Sequence, residues 1–200
     1  MSGDADGLRL GVGGLSRPEL LAALDAAGVA RNAHAETLLA HPVFERRPVE
    51  PIVIAVRSVA ELGRPAGATL PELLSAAAEL GLGPCPADTA PYLRLALSDQ
   101  TASSDPRMST GRAPADSLTV ASDPLSTDDE DPKGFYLRVV DGVSWLRGYR
   151  CDDEHVFAGE DRFAFQRPER AEERIGASSR IRADRRSGPR APRRDERASG

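Results

Sequence analysis

Residues 134–149 have the sequence GFYLRVVDGVSWLRGY, in which two alternating runs flank the pair Asp141-Gly142. A two-residue Asp-Gly turn of type I′ needs positive φ at both positions and matches the twist of paired strands. The pattern therefore predicts an antiparallel hairpin of strands 134–140 and 143–149. A two-residue turn also sets the register, so that Val140 faces Val143.

The register gives the hairpin two faces of different chemistry. The first is an apolar core face made of Phe135, Leu137, Val139 and Leu146. The second, which we call the Arg–aromatic face, carries Tyr136, Arg138, Trp145, Arg147 and Tyr149, with Val140 and Val143 beside the turn. Opposed arginines and rings give cation–π contacts of ~0.5–1 kcal/mol at exposed sites, so this face has a purely structural interpretation. Rigid aromatics and arginine are also enriched at protein interfaces, which makes the face a candidate partner-binding surface.

Further strands are predicted on both sides of the hairpin. The run Arg162-Phe163-Ala164-Phe165 predicts a last strand over 162–166, and residues 117–122 predict one before the hairpin. Residues 92–97 are ambiguous, because Leu93 and Leu97 fit a helix whereas Leu93, Leu95 and Leu97 fit strict alternation. We interpret 93–98 as a strand that pairs with 117–122 across the long loop 99–116.

Helical signals fill the first half of the chain. Capping patterns at Ser16 and Thr69 and a cap at Asn32 predict helices near 17–27, from 69 to Gly81, and over 33–40. A β-branched run over 52–56 predicts one buried strand. The expected fold class is α+β, with N-terminal helices followed by an antiparallel β-meander of five strands. These strands are 93–98, 117–122, 134–140, 143–149 and 162–166.

Charge divides the 200-residue chain into an acidic body and a basic tail. Residues 167–200 carry eleven arginines and six acids, net +5, which leaves 15 basic and 25 acidic residues, net −10, for residues 1–166. The tail has no aromatic residue, Leu or Val, a composition typical of disorder. We therefore predict a flexible N-terminal arm over 1–15, a single α+β domain over 16–166 and a disordered Arg-rich tail over 167–200.

Several classes of protein are disfavoured by what the sequence lacks. It has no secretory signal and no run of ~18 apolar residues for a membrane span, which favours a cytoplasmic protein with no membrane partner. Cys85 and Cys151 are too far apart in sequence for a zinc knuckle, and reduced thiols are expected. Lys133 is the only lysine and follows no glycine-rich loop, so the chain has no P-loop.

Three other segments contain residues that could bind a ligand. Gly11-Val12-Gly13-Gly14 lacks the glycine spacing of a dinucleotide loop, and a flexible arm is preferred. The run Asp128–Asp131 lacks the ligand spacing of a calcium loop, and solvated surface is preferred. His155 follows Asp152 and Asp153 closely, and an enzyme using these residues with Asp161 stays open as a rival hypothesis.

The chain resembles a group of small uncharacterised bacterial proteins over about residues 30 to 166. The resemblance rests on Gly67-Ala68-Thr69-Leu70, on Gly81-Leu82-Gly83-Pro84-Cys85-Pro86, on Leu93-Arg94-Leu95 with Asp99-Gln100, on residues 117–122, on Pro132-Lys133-Gly134 through Tyr149, and on residues 162–165. Some members of that group carry a helicase label, which the missing P-loop contradicts here. The resemblance implies no activity, cofactor or catalytic residue.

These observations together favour a non-enzymatic protein-interaction module that uses the Arg–aromatic face. The expected partner is another protein, and no cofactor or metal is expected. The first alternative is a hydrolase or metal-dependent enzyme that uses His155 and the nearby acids. A further alternative is weak association with nucleic acid through the Arg-rich tail, although six interspersed acids and the acidic body oppose it.

Overall fold

The computed structural model describes residues 5–97, 100, 102, 114 and 116–168. Four α-helices lie within these ranges: α1 (Arg17–Ala26), α2 (Ala33–Leu39), α3 (Leu70–Glu79) and α4 (Thr89–Ala96). The strands in the same ranges are β1 (Arg9–Val12), β2 (Ala30–Arg31), β3 (Glu50–Ser58), β4 (Ala68–Thr69), β5 (Leu118–Val120), β6 (Gly134–Val140), β7 (Val143–Tyr149), β8 (Val156–Phe157) and β9 (Arg162–Arg167). The predicted tail lies outside the described residues, except for Arg167 and Pro168.

The hairpin has the predicted strands and the predicted register. Strands β6 and β7 pair antiparallel, with Arg138 opposite Trp145 and Tyr136 opposite Arg147. The turn residues Asp141 and Gly142 have φ values of 50° and 76°, as a type I′ turn requires. The turn chemistry alone was sufficient to align every pair along the two strands.

The fold class α+β is confirmed, but the predicted five-stranded meander is wrong. The main sheet is mixed and has seven strands in the order β1-β3-β9-β5-β6-β7-β2, while β4 and β8 form a separate pair. Strand β5 lies parallel to β9, and β2 lies parallel to β7. Strand β3 is buried along most of its length and has partners on both edges, β1 over its first half and β9 over its second. The last strand therefore enters the middle of the sheet instead of extending the hairpin.

The predicted strand over 93–98 is also wrong, because residues 89–96 form helix α4. Leu93 and Leu97 lie one helical turn apart and are both buried in the same core. Pro91 is in the first turn of the helix, where its missing N–H breaks no helical hydrogen bond. The strand pairing expected between 93–98 and 117–122 therefore does not occur, and β5 pairs with β6 and β9.

The arm predicted to be flexible over 1–15 contains an ordered strand. Strand β1 pairs antiparallel with β3, with Leu10 opposite Ile52. Before β1, the Asp6 carboxylate accepts a hydrogen bond of 2.9 Å from the backbone N–H of Val56, further along the edge of β3. Asp6 also lies 3.2 Å from the guanidinium of Arg57. The expectation of flexibility is thus corrected for this part of the arm.

Two apolar cores lie on opposite faces of the main sheet. Helices α1, α2 and α4 contribute Leu20, Leu38 and Leu93 to the first core, which includes Leu137 and Leu146 of the hairpin. Helix α3 contributes Leu73 to the second core, together with Phe163 and Phe165 of β9. Because side chains alternate along a strand, the Arg–aromatic residues of β6 and β7 point to the same side of the sheet as the second core.

Candidate interaction face on the hairpin

Burial of the Arg–aromatic face differs between its two strands. On β6, Arg138 is 0% exposed and Tyr136 is 9% exposed. On β7, Trp145, Arg147 and Tyr149 are all partly exposed. Two of the five predicted contact residues are therefore buried, and the accessible part of the face belongs to β7.

The Arg147 guanidinium contacts two aromatic rings of the face. Its central carbon lies 5.2 Å from the centroid of the Trp145 ring and 6.0 Å from that of Tyr136. Both distances are within the range in which the ring quadrupole attracts a cation, worth ~0.5–1 kcal/mol per contact at an exposed site. Arg147 and Trp145 stand on a strand that is paired along its whole length with β6.

Tyr149, although partly exposed, belongs to a row of aromatic side chains that packs against the second core. Its ring packs edge-on against Phe157 at 6.2 Å, and Phe157 packs against Phe163 at 5.0 Å. Burial raises the pKa of Tyr149 above its ordinary value. A Cβ atom at Gly134 would lie 3.2 Å from the Tyr149 ring, so the glycine opposite Tyr149 leaves room for it.

On the edge of β7 that faces β2, the side chain of Asn32, the N-cap of α2, hydrogen-bonds to the strand backbone. Its Oδ1 accepts hydrogen bonds from Ala35 N at 3.0 Å and from Gly148 N at 2.8 Å, and its Nδ2 donates to Gly148 O at 2.9 Å. A Cβ atom at Gly148 would lie only 2.6 Å from the carbonyl carbon of His34. Sequence reasoning identified the cap at Asn32 but not its bond to β7, since 116 residues separate the two partners.

Three residues of the rival enzymatic hypothesis, Asp152, His155 and Asp161, make local contacts. Asp161 accepts a hydrogen bond of 2.8 Å from Ala158 N, and Asp152 accepts one of 3.2 Å from Glu154 N. The His155 ring packs edge-on against Phe157 at 4.7 Å. Within the described ranges, no group of three His, Cys, Asp or Glu side chains is placed to hold a metal ion.

The space beside the glycine-rich segment before α1 is occupied by other residues of the chain. It does follow a strand, β1, and precede a helix, as a phosphate-binding loop would. A Cβ atom at Gly13 would lie 2.7 Å from the carbonyl oxygen of Pro48, and one at Gly14 would lie 2.7 Å from the Val49 side chain. Gly14 N also donates to Arg47 O at 2.8 Å. The glycines are therefore explained by the close approach of residues 47–49.

Comparison with family models, with curated proteins and with solved structures found no match for this chain. Of the helices that the structure describes, none is long and apolar enough to cross a membrane.

Proposed function

We propose that this chain is a protein-interaction module whose contact surface is the β7 part of the Arg–aromatic face. The observation that carries the proposal is the stack in which Arg147 lies against Trp145 and Tyr136 while Trp145 and Arg147 stay partly exposed. Val143, 41% exposed on the same side of β7, adds an apolar side chain to this surface.

The energetic reason is that the stack reduces the entropy lost on binding. Immobilising a side chain with many rotamers at an interface costs ~0.5–1.5 kcal/mol, and here Arg147 is already held by two rings. Tryptophan and arginine are the residues most enriched among those that dominate binding energy at protein interfaces. We assign the other three residues of the face to the support of this surface: Tyr136, Arg138 and Tyr149.

Site-specific photo-crosslinking in cells tests the proposal. A photoreactive residue at Val143 lies within the proposed contact surface, and one at Leu80, which is 56% exposed and directly follows α3, is the matched control. We expect a discrete crosslinked species from position 143 and none from position 80. The species should be lost in the Trp145→Ala and Arg147→Ala variants.

Two measurements keep this test decisive. The thermal midpoint of each variant is compared with that of the parent protein, so that loss of crosslinking is not confused with loss of fold. Arg147→Lys keeps the charge but not the planar guanidinium, and we expect it to crosslink weakly. Equal crosslinking from positions 143 and 80, or crosslinking that survives in folded Trp145→Ala, would overturn the proposal.

A further inference from the structure

Lys133 is 6% exposed, and its ammonium group lies inside the acidic turn formed by residues 126–131. Its Nζ donates to Asp128 O at 3.0 Å and lies 3.2 Å from Asp129 Oδ1 and 3.5 Å from Ser126 O. Three oxygen atoms of one turn thus converge on a single cation that belongs to the chain.

Hydrogen bonds within the turn fix its backbone and one of these oxygens, Asp128 O. Glu130 N donates to Asp128 Oδ1 at 2.9 Å, and Asp131 N donates to Asp128 O at 3.1 Å. The backbone N–H of Lys133 donates to Tyr149 O at 2.9 Å, which fixes the base of the turn to the end of β7. The ammonium therefore enters the turn from a rigid point of the sheet.

Carbonyl and carboxylate oxygens are the atoms that hard cations prefer as ligands. Without a positive charge between them, these oxygens would repel one another, even though the Asp129 side chain is 68% exposed. The ammonium supplies that charge as a compact point charge with three donors.

We propose that the turn over residues 126–131 is a cation site whose cation is supplied by the chain itself, the ammonium of Lys133. The protein therefore keeps this turn ordered without a free cation. Removal of the ammonium leaves a space surrounded by oxygen atoms that a free cation can enter.

The test uses the full chain with Lys133→Ala and with Lys133→Arg as the charge-retaining control. Thermal midpoints are measured with and without millimolar calcium chloride, and separately with propylammonium chloride, whose cation restores the missing part of the side chain. We expect Lys133→Ala to have a lower midpoint than the parent protein, and one or both cations to raise it. The parent protein and Lys133→Arg should not respond.

Amide hydrogen exchange gives a second readout that does not depend on cation binding. In Asp129→Asn, which removes the carboxylate but leaves the ammonium, the Asp131 amide should exchange faster, and in Lys133→Ala about tenfold faster than in the parent protein. A Lys133→Ala protein with an unchanged midpoint would overturn the proposal. So would one that neither cation stabilises, or an equal response of the parent protein to calcium.

Discussion

Replacing Asn32 with alanine should destabilise the protein more than the loss of an ordinary helix cap does. The side chain makes three hydrogen bonds, one to Ala35 in α2 and two to the backbone of Gly148 in β7. All three are partly buried. The substitution therefore removes the N-cap of a helix and also two hydrogen bonds between that end of the helix and the sheet.

The expected magnitude follows from these bonds. Loss of an N-cap costs about 1 kcal/mol. The N–H and C=O of Gly148 each lose their partner at a partly buried site, and a buried group left unsatisfied costs ~1–3 kcal/mol. We therefore expect a loss of about 3 kcal/mol or more in the free energy of unfolding, equivalent to ~6–12 °C in the thermal midpoint.

Urea unfolding followed by the fluorescence of Trp145, the only tryptophan, measures this loss. Trp145 lies on β7 three residues before Gly148, so the signal reports directly on the strand concerned. Asn32→Asp keeps the acceptor for Ala35 and Gly148 but not the donor, and its stability should fall between those of the parent protein and Asn32→Ala.

Thr37→Ala is the matched control in the same helix, because it removes one exposed hydrogen bond of 3.1 Å to Ala33 O. Its effect should stay within about 0.5 kcal/mol. If Asn32→Ala is no less stable than Thr37→Ala, the side chain does not tie α2 to β7 and the reasoning fails.

Four further outcomes are expected. Gly148→Ala should cost ~1–3 kcal/mol of stability by overpacking. Gly83→Ala, where a Cβ atom meets nothing within 4 Å, should cost far less. Equal losses of stability in the two variants would contradict this prediction. Burial raises the pKa of Cys85 to about 12 and that of Cys151 to about 11, so both thiols should react slowly with a disulfide reagent near pH 8 until the protein unfolds, Cys85 the more slowly. A hydrogen bond from the Ser58 backbone holds the pKa of Glu61 below its usual value. The Glu61 carboxylate therefore stabilises the fold above its unfolded-state pKa, and this stabilisation is lost as pH falls through its folded-state pKa. Glu61→Gln should lower the thermal midpoint at neutral pH and match the parent protein in acid. Titration with single-stranded and duplex DNA at about 0.05 and 0.15 M salt should show at most weak binding that disappears at the higher salt, and tight binding lost on deleting residues 167–200 would favour the nucleic-acid alternative.

The sequence alone determined the elements whose formation depends on residues close to one another in the chain. The Asp141-Gly142 turn sets the hairpin register because its backbone geometry is local, and the structure reproduces every predicted pair. The predicted helices near 17–27 and 33–40 and from 69 to Gly81 are confirmed for the same reason, since caps and periodicity act within one or two turns.

Contacts between distant segments lay beyond such reasoning. Residues 92–97 satisfy both a helical and an alternating pattern, and packing of Leu93 and Leu97 into the first core selects the helix. The position of β9 between β3 and β5 depends on which strand edges remain open once the sheet assembles. No local signal encodes that choice.

In the candidate site, too, one part followed from the local sequence and another part only from the tertiary structure. Alternation along the hairpin was enough to place the five Arg–aromatic residues on one face of two paired strands. Only the tertiary structure decided that Arg138 is buried while Trp145 and Arg147 reach the surface. Exposure depends on what packs over a face, which alternation along a strand does not specify. Accessibility of a surface is a property of the assembled fold, whereas strand register is a property of a short stretch of sequence.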